Sequence, residues 1–116
     1  MGFPRSVLVV VQGDPLKSHR PVEALRIALG LASGDAAVRV MLLKGAVRLL
    51  SNDTDDVIDG DILEKYLPSI KEMSLPFLIP ASLSDEFSLD GGFSVESASP
   101  ERLEAALHAA DRTLIF

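Results

Sequence analysis

The residues best placed to do chemistry are Gln12-Gly13-Asp14-Pro15, followed shortly by Ser18-His19-Arg20. An amide, a carboxylate, a hydroxyl, an imidazole and a guanidinium this close together could orient and neutralise an anion. The effect is greater if a helix begins directly after them, because the first amides of a helix have no partner in their own helix. Pro21 marks such a start, since proline is tolerated in the first helical turn, where its missing N–H costs nothing. Ser18 is placed to cap that helix. The chemistry suggested is the holding of an anionic or acyl-type ligand, and the alternative is a solvated loop that caps a helix. Gly13 stands outside any glycine-rich phosphate fingerprint, so dinucleotide binding is not indicated.

Other constellations carry less. Asp53, Asp55, Asp56, Asp59 and Asp61 invite a calcium reading, but a calcium loop needs oxygen ligands at alternating positions, a glycine sixth and a carboxylate twelfth. Counting from Asp55 to place Gly60 sixth leaves Val57 third and Tyr66 twelfth. A solvated acidic loop is the better account. Ser82 or Ser84 could be combined with His19 into a nucleophilic triad, yet no nucleophile elbow frames either serine. His108 lies about half a turn off the apolar face of the last helix, at roughly 100° per residue, and reads as surface. No histidine or cysteine pair stands at metal-ligand spacing, so neither a metal nor a cofactor is expected. A phosphoacceptor domain would need an aspartate at the end of the third strand, where this chain has Ile79-Pro80.

These side chains need a scaffold. Val7-Leu8-Val9-Val10-Val11 is too short for an ordinary helix and lacks the alternation of a half-wet strand, so it reads as a strand covered on both faces. The polar residues after it then stand at a strand's carboxyl end, where open α/β sheets place their ligand crevices. A very apolar helix over 21–33 follows, either pressed into the sheet or shared with another subunit, and Gly34 stops it. A second strand over 37–43 ends at Lys44-Gly45, with a short helical segment over 46–50. After the acidic loop, Asp61 and Glu64 have capping-box spacing for a helix reaching about Met73, which Pro68 should kink or restart. The segment 76–80 is a brief buried strand and 81–87 one or two helical turns. Phe93 to Glu96 is a short strand, Ser99 caps a helix with Pro100 in its first turn, and 112–116 is a last strand. Strand and helix in repeated alternation predict a five-stranded, mostly parallel sheet with helices on both faces.

The totals set bounds. A chain of 116 residues, 47% hydrophobic and 24% charged, suits one globular domain over 1–116. A net charge of −6, from 17 acidic and 11 basic residues, argues against direct binding to nucleic acid. No apolar run approaches the roughly 20 residues that cross a bilayer, and residues 1–5 lack the pattern of a signal peptide, so no membrane partner and a cytoplasmic location are expected. There is no cysteine. Disulfides, thiolate metal sites and a cysteine nucleophile on this chain are therefore excluded.

Taken together, several segments resemble the DsrE/DsrF-like sulfur-relay proteins, most closely the DsrF and TusC type. They are Val7-Leu8-Val9 with Pro15 and the apolar helix, Lys44-Gly45-Ala46-Val47-Arg48-Leu49-Leu50, Tyr66, Ile70-Lys71, Ala81-Ser82-Leu83, Val95-Glu96-Ser97, Pro100 and Leu114-Ile115-Phe116. The resemblance implies a flavodoxin-like three-layer α/β subunit that assembles into homo-oligomeric trimers or hexamers, or into hetero-oligomers with DsrE-like paralogues. Its catalytic members carry a persulfide on a cysteine just after the third strand. Here that stretch is Leu78-Ile79-Pro80-Ala81-Ser82-Leu83, which cannot form one. The resemblance therefore implies a non-catalytic partner subunit. The alternative is a small-ligand domain whose strand-end crevice is lined by Gln12, Asp14, Ser18, His19, Arg20, Lys44 and Ser82.

Overall fold

The computed structural model describes residues 6–116; residues 1–5, read above for a signal peptide, lie outside the described residues. In chain order the elements are β1 (Ser6–Val11), α1 (Arg20–Ala32), β2 (Ala37–Leu42), a 3-10 segment (Lys44–Leu50), α2 (Gly60–Glu72), β3 (Pro76–Pro80), a 3-10 turn (Ala81–Leu83), β4 (Ser94–Ala98), α3 (Pro100–Ala109) and β5 (Arg112–Ile115). All strand pairs are parallel, and the order across the sheet is β4-β3-β2-β1-β5. The layering is flavodoxin-like. The strand order differs from that of flavodoxin, because the chain steps outward from β1 to β4 before returning across the sheet to β5, whereas flavodoxins reverse after their second strand.

β1 is covered on both faces, as its unbroken apolar run requires. Val7, Val9 and Val11 join one core with α1, α2 and Phe77, while Leu8 and Val10 join a second core with Met41, Leu78 and Ala106 of α3. The reversal after β4 accounts for this division. Steps in one direction put α1 and α2 on one face, and the return step puts α3 on the other, as crossovers of a single hand require.

The helix over 21–33 lies where its apolar pattern puts it, and its apolarity is met within the subunit. Pro21, Val22, Ala24, Leu25 and Ala28 are buried, and α1 also packs along α2. None of its residues is among the exposed large hydrophobic side chains.

Three local expectations need correction. α2 begins at Gly60, not after an Asp61 cap: Asp59 holds the cap position in the left-handed region (φ 62°) without a side-chain cap bond, and Asp61 lies in the first turn. A carboxylate there favours the positive end of the helix without capping it. Glycine suits position 60, since a Cβ would stand 3.2 Å from the Thr54 carbonyl. Second, α2 runs through Pro68 without restarting. Pro68 and Glu64 are both exposed, so water can reach the Glu64 carbonyl that the proline deprives of a donor. Third, only Ala81–Leu83 is helical after β3, and Ser84–Glu86 is turn. The Ser99 cap is as expected, with the Arg102 N–H donating to Ser99 Oγ at 3.2 Å.

Phe77 is 1% exposed and meets Phe93 edge-on at a centroid distance of 6.0 Å. Phe77→Ala is expected to lower the unfolding free energy by about 3–5 kcal/mol, and Ser99→Ala by about 1 kcal/mol. Urea unfolding monitored by circular dichroism checks both, and equal losses would contradict this division of core and cap.

Candidate functional site

Because every strand is parallel, Gln12, Lys44 and Ser82 leave the sheet at one edge, the carboxyl ends of β1, β2 and β3, where β5 also ends at Phe116. β1 has β2 on one side and β5 on the other, with the crossovers to them on opposite faces, so the switch point of the sheet lies between β1 and β5. Phe116 occupies it. Its carbonyl accepts from the Gln12 and Gly13 amides at 2.8 and 3.3 Å, its N–H donates to the Val10 carbonyl, and the Arg20 guanidinium lies 5.4 Å from its ring centroid. An arginine over an aromatic face is a favourable electrostatic contact. Phe116 was not among the site residues read from the sequence. Only its position at the end of a predicted strand could have hinted at it.

The loop after β1 uses its own amides heavily. Asp14 Oδ1 accepts from the Leu16 N–H at 2.9 Å, the Asp14 carbonyl accepts from the Lys17 and Ser18 amides, and Ser18 Oγ accepts from the Arg20 N–H at 3.1 Å. An anion bound here would have to be met by side chains. Asp14 also reaches the next loop, where a Cβ on Gly45 would stand 3.7 Å from its Oδ1. Lys44, in the left-handed region at φ 54°, makes the turn that starts the 3-10 segment. His19, Arg20, Lys44 and Ser82 are exposed. Among the described residues no hydrogen bond or ion pair joins His19, Lys44 or Ser82 to the other four.

A larger concavity lies between the two loops that leave β2 and β3. It encloses about 420 Å³ and is lined by Arg48, Ser51, Asn52, Asp53, Glu86, Phe87 and Ser88. Its walls are clipped together: the Asn52 N–H donates to the Ser88 carbonyl at 2.8 Å, and the Asp90 N–H to the Leu50 carbonyl at 2.8 Å. Ser51 Oγ lies 2.7 Å from the Arg48 carbonyl, and Arg48 stacks 5.3 Å from the Phe87 ring centroid. The lining offers one guanidinium and two carboxylates, but no imidazole or thiol. That set suits polar binding and provides no nucleophile–base pair.

The remaining candidates are not assembled. Ser84 Oγ donates to the Ala81 carbonyl at 2.8 Å, and no bond connects His19 to Ser82 or Ser84 among the described residues. His108 is exposed, 3.7 Å from Glu104 one turn earlier. No group of three or more histidine, aspartate or glutamate side chains among the described residues converges as a metal site, and the acidic loop is included in that statement. No described helix is long and apolar enough to cross a membrane.

No family model matches the chain, and no curated protein matches it in sequence. In structure it is similar to the crystal structure of the YchN protein from Escherichia coli, with a TM-score of 0.76 over 97% of this chain and 99% of that one. The sequences are 21% identical, so the likeness is one of fold.

The loop that carries Glu86–Ser88 is tied down beyond the concavity by Asp90. Lys71 Nζ donates to its Oδ2 at 2.7 Å and the Gly92 N–H to its Oδ1 at 2.8 Å, and these contacts hold its carboxyl below the ordinary aspartate range. A group with a depressed folded pKa contributes stability that is fully present above its unfolded value, near 3.9, and is lost as pH falls through the folded one. Carbon-detected NMR titration is expected to place the Asp90 midpoint below the ordinary range. Lys71→Met should raise it, and an unmoved midpoint would contradict this anchoring.

Proposed function

We propose that this chain is a non-catalytic subunit of a sulfur-relay assembly of the DsrE/DsrF type, of the DsrF and TusC kind, contributing surface instead of a sulfur carrier. One observation carries the reading. At the turn directly after β3, where the resemblance places the carrier cysteine, the chain has Ala81-Ser82-Leu83, and it holds no cysteine elsewhere. A persulfide needs a thiolate that is both nucleophile and leaving group, and a serine hydroxyl is neither near neutral pH. The three-layer parallel fold agrees with what the resemblance implies.

A surface for assembly is also at hand. Leu16, Ile58 and Ile62 are 39%, 37% and 36% exposed. The bond from the Ile58 N–H to the Pro15 carbonyl, at 2.9 Å, ties the two loops bearing the first two together, and Ile62 follows in the opening of α2. Exposed apolar side chains on these linked loops and the helix that follows them suit contact with another subunit. This surface replaces α1, whose apolar face is used internally.

The polar concavity at Arg48 and Phe87 supports a second reading, a small-ligand domain binding a polar molecule without a partner. A thermal-shift screen against organic anions and acyl thioesters separates the two, since stabilisation of the isolated chain that Arg48→Gln abolishes would favour the second.

Light scattering of the purified chain, alone and mixed with a cysteine-bearing DsrE-like protein, tests the first reading. An oligomer or a stable complex is expected. The double variant Leu16→Glu/Ile58→Glu should keep its circular dichroism spectrum and lose the association. A chain that stays monomeric and captures no such protein would overturn the proposal.

A further inference from the structure

β2 is the middle strand of five and is flanked on both sides, yet its sequence Ala-Val-Arg-Val-Met-Leu places an arginine among apolar residues. Arg39 pairs in register with Leu8 and stands on the same face as Met41. Those neighbours are 0% and 1% exposed, and Leu78 nearby is 2% exposed. Strands of a parallel sheet covered on both faces are normally apolar throughout, so a guanidinium here needs a reason.

The simplest reason is a long stem lying over apolar surface with its charged head in water. Two features go further. α3 presents Ala105, Ala106 and Ala109 where larger side chains would fill the gap, and a cavity of about 140 Å³ remains between helix and sheet. A second guanidinium, from Arg102 in the opening of α3, lines the same cavity. Arg102 is held from outside by Glu96, with Nε to Oε2 at 2.7 Å and Nη2 to Oε1 at 3.4 Å. Arg39 makes no direct ion pair among the described residues, although its charge helps Arg102 hold the Glu96 carboxyl below the usual range. Two cations thus share one small cleft with a single carboxylate at its rim, in a chain of net charge −6.

We propose that the cleft between α3 and the centre of the sheet binds a small oxyanion of the phosphate or sulfate type, held between the guanidinium groups of Arg39 and Arg102. Guanidinium forks match such oxygens with charge-assisted hydrogen bonds. The alanines and Leu78 keep the floor apolar, so the donors are Arg39 and the Arg102 N–H groups that Glu96 does not occupy. The size of the cleft limits the occupant, since pockets for drug-sized molecules run from roughly 300 Å³ upward. None of the residues used for the assembly reading takes part, so either proposal can fail while the other stands.

Isothermal titration calorimetry of the full chain with inorganic phosphate, and separately with sulfate, tests this at constant ionic strength. Saturable binding of one anion per chain is expected. Arg39→Met and Arg102→Gln should each weaken it by at least about tenfold. Arg26→Gln, on α1 where the side chain pairs with Glu23, should leave it unchanged. Arg39→Met exchanges a charge for an apolar side chain among apolar neighbours and should fold, which a thermal melt verifies; the exposed Arg102 position provides the test again if it does not. Absence of saturable heat with either anion, or binding that survives both cleft substitutions, would overturn the proposal.

Discussion

Burial of β1 from both sides is the constraint on which the rest of this structure depends. Five consecutive apolar residues can leave water completely only if helices lie above and below the strand, and at roughly 1.5–3 kcal/mol per buried aliphatic side chain that requirement outweighs most local preferences. It brings in α1 and α2 on one face and α3 on the other. The parallel sheet that results delivers the ends of β1, β2, β3 and β5 to a single edge. Each polar residue considered for ligand binding at that edge is there because of the strand that precedes it.

The edge is closely tied by its own hydrogen bonds. Phe116 fills the switch point with its carbonyl and ring, Asp14 and Ser18 absorb the amides of the first loop, and the loops after β2 and β3 are stitched to each other through backbone bonds. What remains outward is a set of polar and cationic side chains, a mixed-charge concavity and the exposed Leu16, Ile58 and Ile62. Such features suit recognition of another molecule, which is the role proposed for them.

Much of the fold was legible because apolar periodicity and capping are local signals. The run Val7–Val11, the helix behind Pro21, the strand Pro76–Pro80 and the Ser99-Pro100 cap all follow from neighbouring residues. The misplaced start of α2 shows where such signals fail: capping-box spacing at Asp61 competed with Gly60, whose advantage is its close approach to the Thr54 carbonyl, a contact fixed only when the loop folds. Pro68 is tolerated through its exposure, a tertiary property. The candidate site was less legible. Gln12, Lys44 and Ser82 stand at one edge because the strands before them are parallel, whereas Phe116, the Arg48–Phe87 concavity and the Arg39–Arg102 cleft each depend on residues far apart in sequence. The apolarity of α1 allowed either packing into the sheet or a shared subunit contact, and the structure places its buried face against the sheet and α2.

On the proposed reading, the chain contributes surface to sulfur transfer and does not carry the sulfur atom itself. Intact-protein mass spectrometry after incubation with a persulfide donor, with no partner protein present, examines that directly. An unchanged mass is the result the account predicts. A covalent adduct gaining one sulfur atom, released again by a reducing thiol, would contradict it.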